Sequence, residues 1–158
     1  MSFEIGDKVI HWTFGLGEVV QIEEKVIREK SADYYVVRTP DLTIWIPIDN
    51  PNQHSLRIPT SPKEFDKLFV ILSNLGEALP EDREMRKNQL MANLKDGQLA
   101  SVCRVIRDLV WYRRTKKLND QERNILERAK KSLLSEWEYS LGVSSIQAQQ
   151  GMMKLLGE

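Results

Sequence analysis

Between residues 107 and 117 the chain reads RDLVWYRRTKK, an indole and a phenol set among five Lys and Arg side chains. Those types do not suit proton transfer or nucleophilic attack. Guanidinium and ammonium groups pair with phosphate oxygens, and an indole beside them offers an apolar plate that can enter a base step while the cations hold the backbone. The candidate contacts are Trp111 with Arg104, Arg107, Arg113, Arg114, Lys116 and Lys117. A second reading is purely structural: Trp111 packs against a neighbouring element and the arginine stems cover it. Both readings fit the spacing.

Other reactive types carry less. Gly15-x-Gly17 lacks a third glycine and leads into GEVVQIEE, a β-rich run, so it reads as a turn and not as a phosphate loop. His11 and His54 have no carboxylate or cysteine at ligand spacing. The lone cysteine, Cys103, falls on an apolar stripe and reads as a small buried group. No arrangement of nucleophile, base and orienting group is visible. The expectation is no metal, no cofactor and no catalysis.

Composition frames these residues. The chain has 158 residues, 41% hydrophobic and 29% charged, with a net charge of zero. The neutral total hides an asymmetry. Residues 1–61 carry 6 Lys and Arg against 9 Asp and Glu, and residues 62–158 carry 17 against 14. Within 104–131 the count is 10 against 4, a local excess of six positive charges. A basic block in one part of a neutral protein suits a polyanionic partner for that part alone. No apolar run approaches the roughly 20 residues a spanning helix needs, and the N-terminus has no cationic-then-apolar leader pattern. A cytoplasmic protein is expected.

Two elements of different period must position the candidates. FEIGDKVIHW, GEVVQIEEKVI, DYYVVRT and LTIWIPI are short runs rich in Val, Ile, Tyr and Trp, separated by turn signals at 14–17, at Lys30-Ser31-Ala32-Asp33 and at Pro40-Asp41. Four or five such strands within about sixty residues predict a small curled barrel, because a flat sheet of that size buries little. In LTIWIPI, Thr43, Trp45 and Pro47 alternate with Ile44, Ile46 and Ile48, which places Trp45 on the outward face.

The period changes at Ser61-Pro62-Lys63-Glu64, a helix start with Ser61 as cap and Pro62 at the first turn. Apolar residues at Phe65, Leu68, Phe69, Leu72, Leu75 and Leu79 predict a first helix. A second runs to Lys95 and a third from about Gln98 to Lys117. A fourth begins at the Asn119/Glu122 capping box and stops at Gly142, and SIQAQQGMMKLL forms a fifth. The fold class is therefore α+β, with a β-barrel at 1–60 and a helical bundle at 61–158. On the third helix Leu99, Val102, Cys103, Ile106, Leu109 and Val110 form the core stripe. Trp111 is turned about 100° from Val110, at the border of a basic face. Trp137 is in phase with Leu126, Ala129 and Leu133 and belongs to the core.

Phe3 to Ile27, then YYVV, DLTIWIPIDN and LR, resemble the N-terminal module of the CarD/CdnL bacterial transcription regulators. NLKDGQLASVCRVIRDL and LNDQERNILERAKKSLLSE are similar to that family's helical domain. The likeness covers about Phe3 to Leu141. It implies a Tudor-like (SH3-like) barrel that docks on the β subunit of RNA polymerase holoenzyme with housekeeping sigma factor. It also implies a helical domain on promoter DNA at the upstream edge of the bubble, without sequence specificity. A tryptophan there enters the minor groove and stabilises the open complex. Carried onto this chain, the polymerase contacts are Lys25, Thr43, Ile44, Trp45, Ile46 and Pro47, and the wedge is Trp111. The chain departs from the family pattern twice. The wedge tryptophan directly follows RDL in the family, where this chain has Val110, and the position of Trp45 is often arginine. Nothing resembles a dimer seam, so a nucleoid-associated monomer is expected. The alternative is a protein-only adaptor that binds its partner through the barrel and does not touch DNA.

Overall fold

The computed structural model describes residues 2–49 and 56–158; His54 lies outside the described residues. The chain is α+β and forms two compact units, Met1–Pro59 and Thr60–Glu158. The first is an antiparallel sheet of β1 (Lys8–His11), β2 (Gly15–Ile27), β3 (Lys30–Arg38), β4 (Thr43–Pro47) and β5 (Leu56–Arg57). The strands lie in the order β4-β3-β2-β1-β5. The end strands β4 and β5 are not hydrogen-bonded to each other among the described residues, so the ladder is not the closed barrel the strand count predicted. β5 pairs with β1 through Leu56 opposite His11 and Arg57 opposite Ile10.

Two local features set the faces of this sheet. The β2–β3 reversal uses Arg28 and Glu29, both at positive φ (52° and 65°), as a two-residue hairpin turn demands. Lys30 to Asp33, predicted as a turn, therefore pair within β3. No glycine or asparagine stands at the true reversal, and the polar run at 30–33 carries the stronger local turn signal. A bulge at Val20 shifts the register between Val19 and Gln21. Val19 pairs with Val37 on the inner face, and beyond the bulge Gln21, Glu23 and Lys25 lie on the opposite side with Trp45, while Ile22 is exposed opposite Tyr35. The inner face carries Phe3, Val9, Val19, Tyr35, Val37 and Leu56, with Ile44, Ile46 and Ile48 packed against them. Gly17 lies in β2, opposite Val9, and not in a turn. A methyl group there would approach Val37 Cγ1 to 2.7 Å.

The second unit holds α1 (Pro62–Ser73), α2 (Arg83–Lys95), α3 (Leu99–Arg113), α4 (Asp120–Leu141) and α5 (Ser145–Leu156). Caps explain the starts: Ser61 accepts from the Glu64 N–H and Asp82 from that of Met85. Asn119/Glu122 and Ser144/Gln147 form reciprocal capping boxes. Gly142 ends α4 in the left-handed region. Two ends fall short of the periodic pattern. α1 stops at Ser73, leaving Leu75 exposed in the following loop while Leu79 returns to the core. α3 stops at Arg113, so Arg114 to Lys117 lie beyond the helix. α3 is the central helix, with Cys103 and every residue from Val105 to Val110 buried. Around it pack Phe65, Leu72, Leu90, Leu126, Leu133 and Trp137. The core is broader than the predicted stripe: Val105 is fully enclosed, whereas Val102 is half-buried.

Candidate functional site

The candidate DNA contacts cluster unevenly about the end of α3. Trp111 is 37% exposed. The Arg114 guanidinium carbon lies 5.2 Å from its ring centroid, within cation–π range. Beside the indole is a hollow of about 170 Å³ between α1, α3 and the end of α5, walled by Leu72, Val110, Leu155 and Leu156. Arg114 also donates from Nη2 to the Leu156 carbonyl at 3.0 Å, which fixes it above the ring. Lys116 Nζ stands 5.9 Å from the Tyr112 ring. Lys116 and Lys117 are exposed just past the helix. Arg104 is exposed two turns back, with Nη1 3.5 Å from Ser101 Oγ.

Two of the six cations are placed otherwise than the charge pattern suggested. Arg107 is only 9% exposed, and its Nε donates to Asp108 Oδ1 at 3.0 Å. That guanidinium is a buried structural partner and not a surface contact. α1 and the loop after it cover the side of α3 that the helical wheel left open. Arg113 is exposed, but its guanidinium is paired with the Glu158 carboxylate. Glu158 also stands 3.9 Å from Lys130 Nζ. Burial, and then the neighbouring Arg113, lower the Lys130 pKa.

Three further residues hold this end of the bundle, and none was evident in sequence. Arg86 on α2 pairs through Nε with Glu122 at the start of α4, both buried. It also donates from Nη1 to the Pro80 and Glu81 carbonyls at 3.2 and 3.1 Å. Its hydrogen bond to Glu122 raises the arginine pKa further. Gly76 lies against the root of the indole, and Glu158 meets Arg113 across 45 residues of chain. Such long-range pairs have no local periodic signal.

On the sheet, Trp45 is 42% exposed. Its Nε1 donates to Glu23 Oε2 at 3.2 Å, and Lys25 Nζ is 4.1 Å from the ring centroid. β4 pairs only with β3, so one side of its backbone is unpaired among the described residues. Thr43, Trp45, Pro47 and Lys25 belong to this outer face, with Tyr34 opposite Pro47. Ile44 and Ile46 do not: their side chains turn inward onto the core, so they can offer only backbone to a partner. The reason is the pleat itself, which alternates faces.

The reactive candidates are structural. His11 is buried, and its Nδ1 accepts from the Thr13 and Phe14 N–H groups at 3.0 and 3.3 Å. Burial lowers its pKa. Cys103 is enclosed, and desolvation pushes its thiol up to about 12, which suppresses the reactive thiolate. Among the described residues no group of three His, Cys, Asp or Glu could hold a metal, and no helix is long and apolar enough to cross a membrane.

Residues 3–58 match the CarD-like/TRCF RID domain, and residues 67–153 match the CarD C-terminal domain. The chain belongs to the CarD family. A Bacillus subtilis (strain 168) protein titled "Putative transcription factor YdeB" is 29% identical over 150 residues, covering 92% of this chain and 96% of that protein. As a CarD family member the chain is a transcription regulator, with the RID domain in its sheet unit and the CarD C-terminal domain in its helical unit.

Proposed function

We propose that this CarD family regulator binds the β subunit of RNA polymerase through its sheet unit and promoter DNA through its helical unit, and so stabilises the open complex. The sheet unit, a Tudor-like module in this reading, docks through Trp45, Lys25 and the edge of β4. An exposed aromatic side chain beside a charge suits an interface anchor. Attachment to polymerase raises the local concentration of a weak DNA binder, so a few phosphate contacts from Arg104, Arg114, Lys116 and Lys117 suffice.

The observation that carries this reading is the exposed Trp111 indole lying under Arg114 at a cationic edge. Entering a base step of intact duplex costs a few kcal/mol of unstacking. A melted junction is already unstacked, so the indole favours the open state over the closed one, and a ligand shifts an equilibrium only by such a preference. Trp111→Ala shortens open-complex lifetime and leaves polymerase binding intact, as read by competitor-challenged decay of promoter complexes. An unchanged lifetime in a folded variant rules the wedge out. Trp45→Ala or Lys25→Glu weakens binding to a β-subunit fragment in a pull-down or by calorimetry, and retained affinity moves the docking face elsewhere.

A protein-only adaptor is the competing reading. The internal pairing of Arg107 and Arg113 favours it, since both cations are already occupied. Salt dependence of DNA binding separates the two.

A further inference from the structure

We infer that the loop following α1 is a brace that sets the direction of the Trp111 indole, with Gly76 and Asp108 as its positioning residues. The inference rests on the DNA-contacting reading of Trp111 for its functional consequence, though not for its geometry. Gly76 is not among the glycines at positive φ, so its backbone does not require glycine. The space around it does. A methyl group on Gly76 would come within 2.6 Å of Trp111 Cγ and 3.2 Å of the Arg107 carbonyl oxygen. The bare Cα therefore lies against the first atoms of the tryptophan side chain, where a small displacement swings the ring most.

The loop is held there by a buried carboxylate. Asp108 Oδ1 accepts the Glu77 N–H at 2.9 Å and Arg107 Nε at 3.0 Å, and Asp108 is only 5% exposed. Its other neighbours on α3 are the buried Leu109 and Val110. The backbone of residue 77 is thereby tied to the turn of α3 that precedes Trp111, with Gly76 in register against the indole. Arg114 lies over the ring itself, 5.2 Å from its centroid. The indole is thus fixed at its root by backbone and along its face by a guanidinium, while its remaining edge is open to solvent. A side chain that must enter a base step gains from such fixation, because less rotamer freedom is lost on binding.

The test uses the full chain labelled with 5-fluorotryptophan, whose four tryptophans give separate fluorine resonances, that of Trp111 assigned by its loss in Trp111→Ala. Gly76→Ala shifts the Trp111 resonance while those of Trp12 and Trp45 stay in place. In promoter assays with polymerase, Gly76→Ala shortens open-complex lifetime toward that of Trp111→Ala. In the Trp111→Ala background the same change adds less than about twofold, the coupling expected of residues in contact. Asp108→Ala moves the Trp111 resonance, and Asp108→Asn, which keeps an acceptor for the Glu77 N–H, restores it. Equal shortening in both backgrounds, or an unmoved Trp111 resonance in Gly76→Ala, overturns the brace. Should Gly76→Ala fail to fold, the Asp108 pair decides: identical Trp111 resonances in the Ala and Asn variants overturn it. If Trp111→Ala leaves the lifetime unchanged, the DNA reading fails, and the resonances still decide whether the loop sets the ring.

Discussion

Under the proposed DNA-binding role, removing Lys116 and Lys117 changes how steeply affinity responds to salt, and the size of that change follows from which cations are free. At the end of α3 the exposed cations not engaged by a carboxylate are Arg104, Arg114, Lys116 and Lys117, whereas Arg107 is buried on Asp108 and Arg113 is held by Glu158. Four phosphate contacts on duplex DNA give a log–log salt slope of about −3.6, or roughly a 150-fold loss of affinity between 50 and 200 mM salt. Replacing Lys116 and Lys117 by Gln halves the contacts, giving a slope of about −1.8 and a loss of roughly 12-fold over the same range. Glu158→Gln works the other way, because it frees Arg113 for a fifth contact and steepens the slope by about 0.9. The measurement is fluorescence anisotropy of a labelled forked duplex with the full chain, across a salt series. A flat series, or a slope indifferent to the loss of two lysines, refutes the phosphate-binding assignment of this edge and favours the adaptor reading.

Two further outcomes test the scaffold. Arg86→Met strands the buried Glu122 carboxylate, and breaking such a pair costs about 3–5 kcal/mol. For a unit of this size, each kcal/mol lowers Tm by roughly 4–8 °C. Calorimetry is therefore expected to show a fall of more than about 12 °C, and a loss below about 1 kcal/mol would mean the pair is solvated. His11 imposes a pH dependence on the sheet unit. Burial holds its folded pKa below the ordinary 6.5, so the unfolded chain takes up the proton first. Its contribution is fully present above pH 6.5 and is lost as pH falls toward the folded value. His11→Asn keeps an acceptor for the Thr13 and Phe14 N–H groups without titrating in this range, and denaturant melts of it should lose that slope. Parallel pH profiles for the two proteins would show that His11 does not titrate differently on folding.

The parts of the molecule legible in sequence are those governed by short periods and caps. Ser61, Asn119 and Gly142 mark helix ends through local hydrogen bonds and backbone preference, so five helices could be read directly. The alternation in LTIWIPI likewise turned Trp45 outward, because a pleat of period two allows nothing else. What escaped were features decided by distant partners. The helical wheel put Arg107 on an open face, but a loop from α1 covers that face and Asp108 is there to receive it. The charge count credited Arg113 to the surface without the Glu158 carboxylate that the fold of α5 delivers. The β2–β3 reversal was misplaced because Arg28 and Glu29 adopt positive φ without being the residue types that ordinarily do.

The extra residue at Val20 is slack that the sheet unit can lose. Deleting it would leave Gln21 opposite Val36, Ile22 opposite Tyr35 and Glu23 opposite Tyr34, the pairs already present, and would restore an unbroken ladder. Glu23 and Lys25 would stay on the side of Trp45. A one-codon deletion at Val20 should therefore spare the polymerase docking proposed for that face, where a deletion in an unbulged strand would turn every side chain beyond it over.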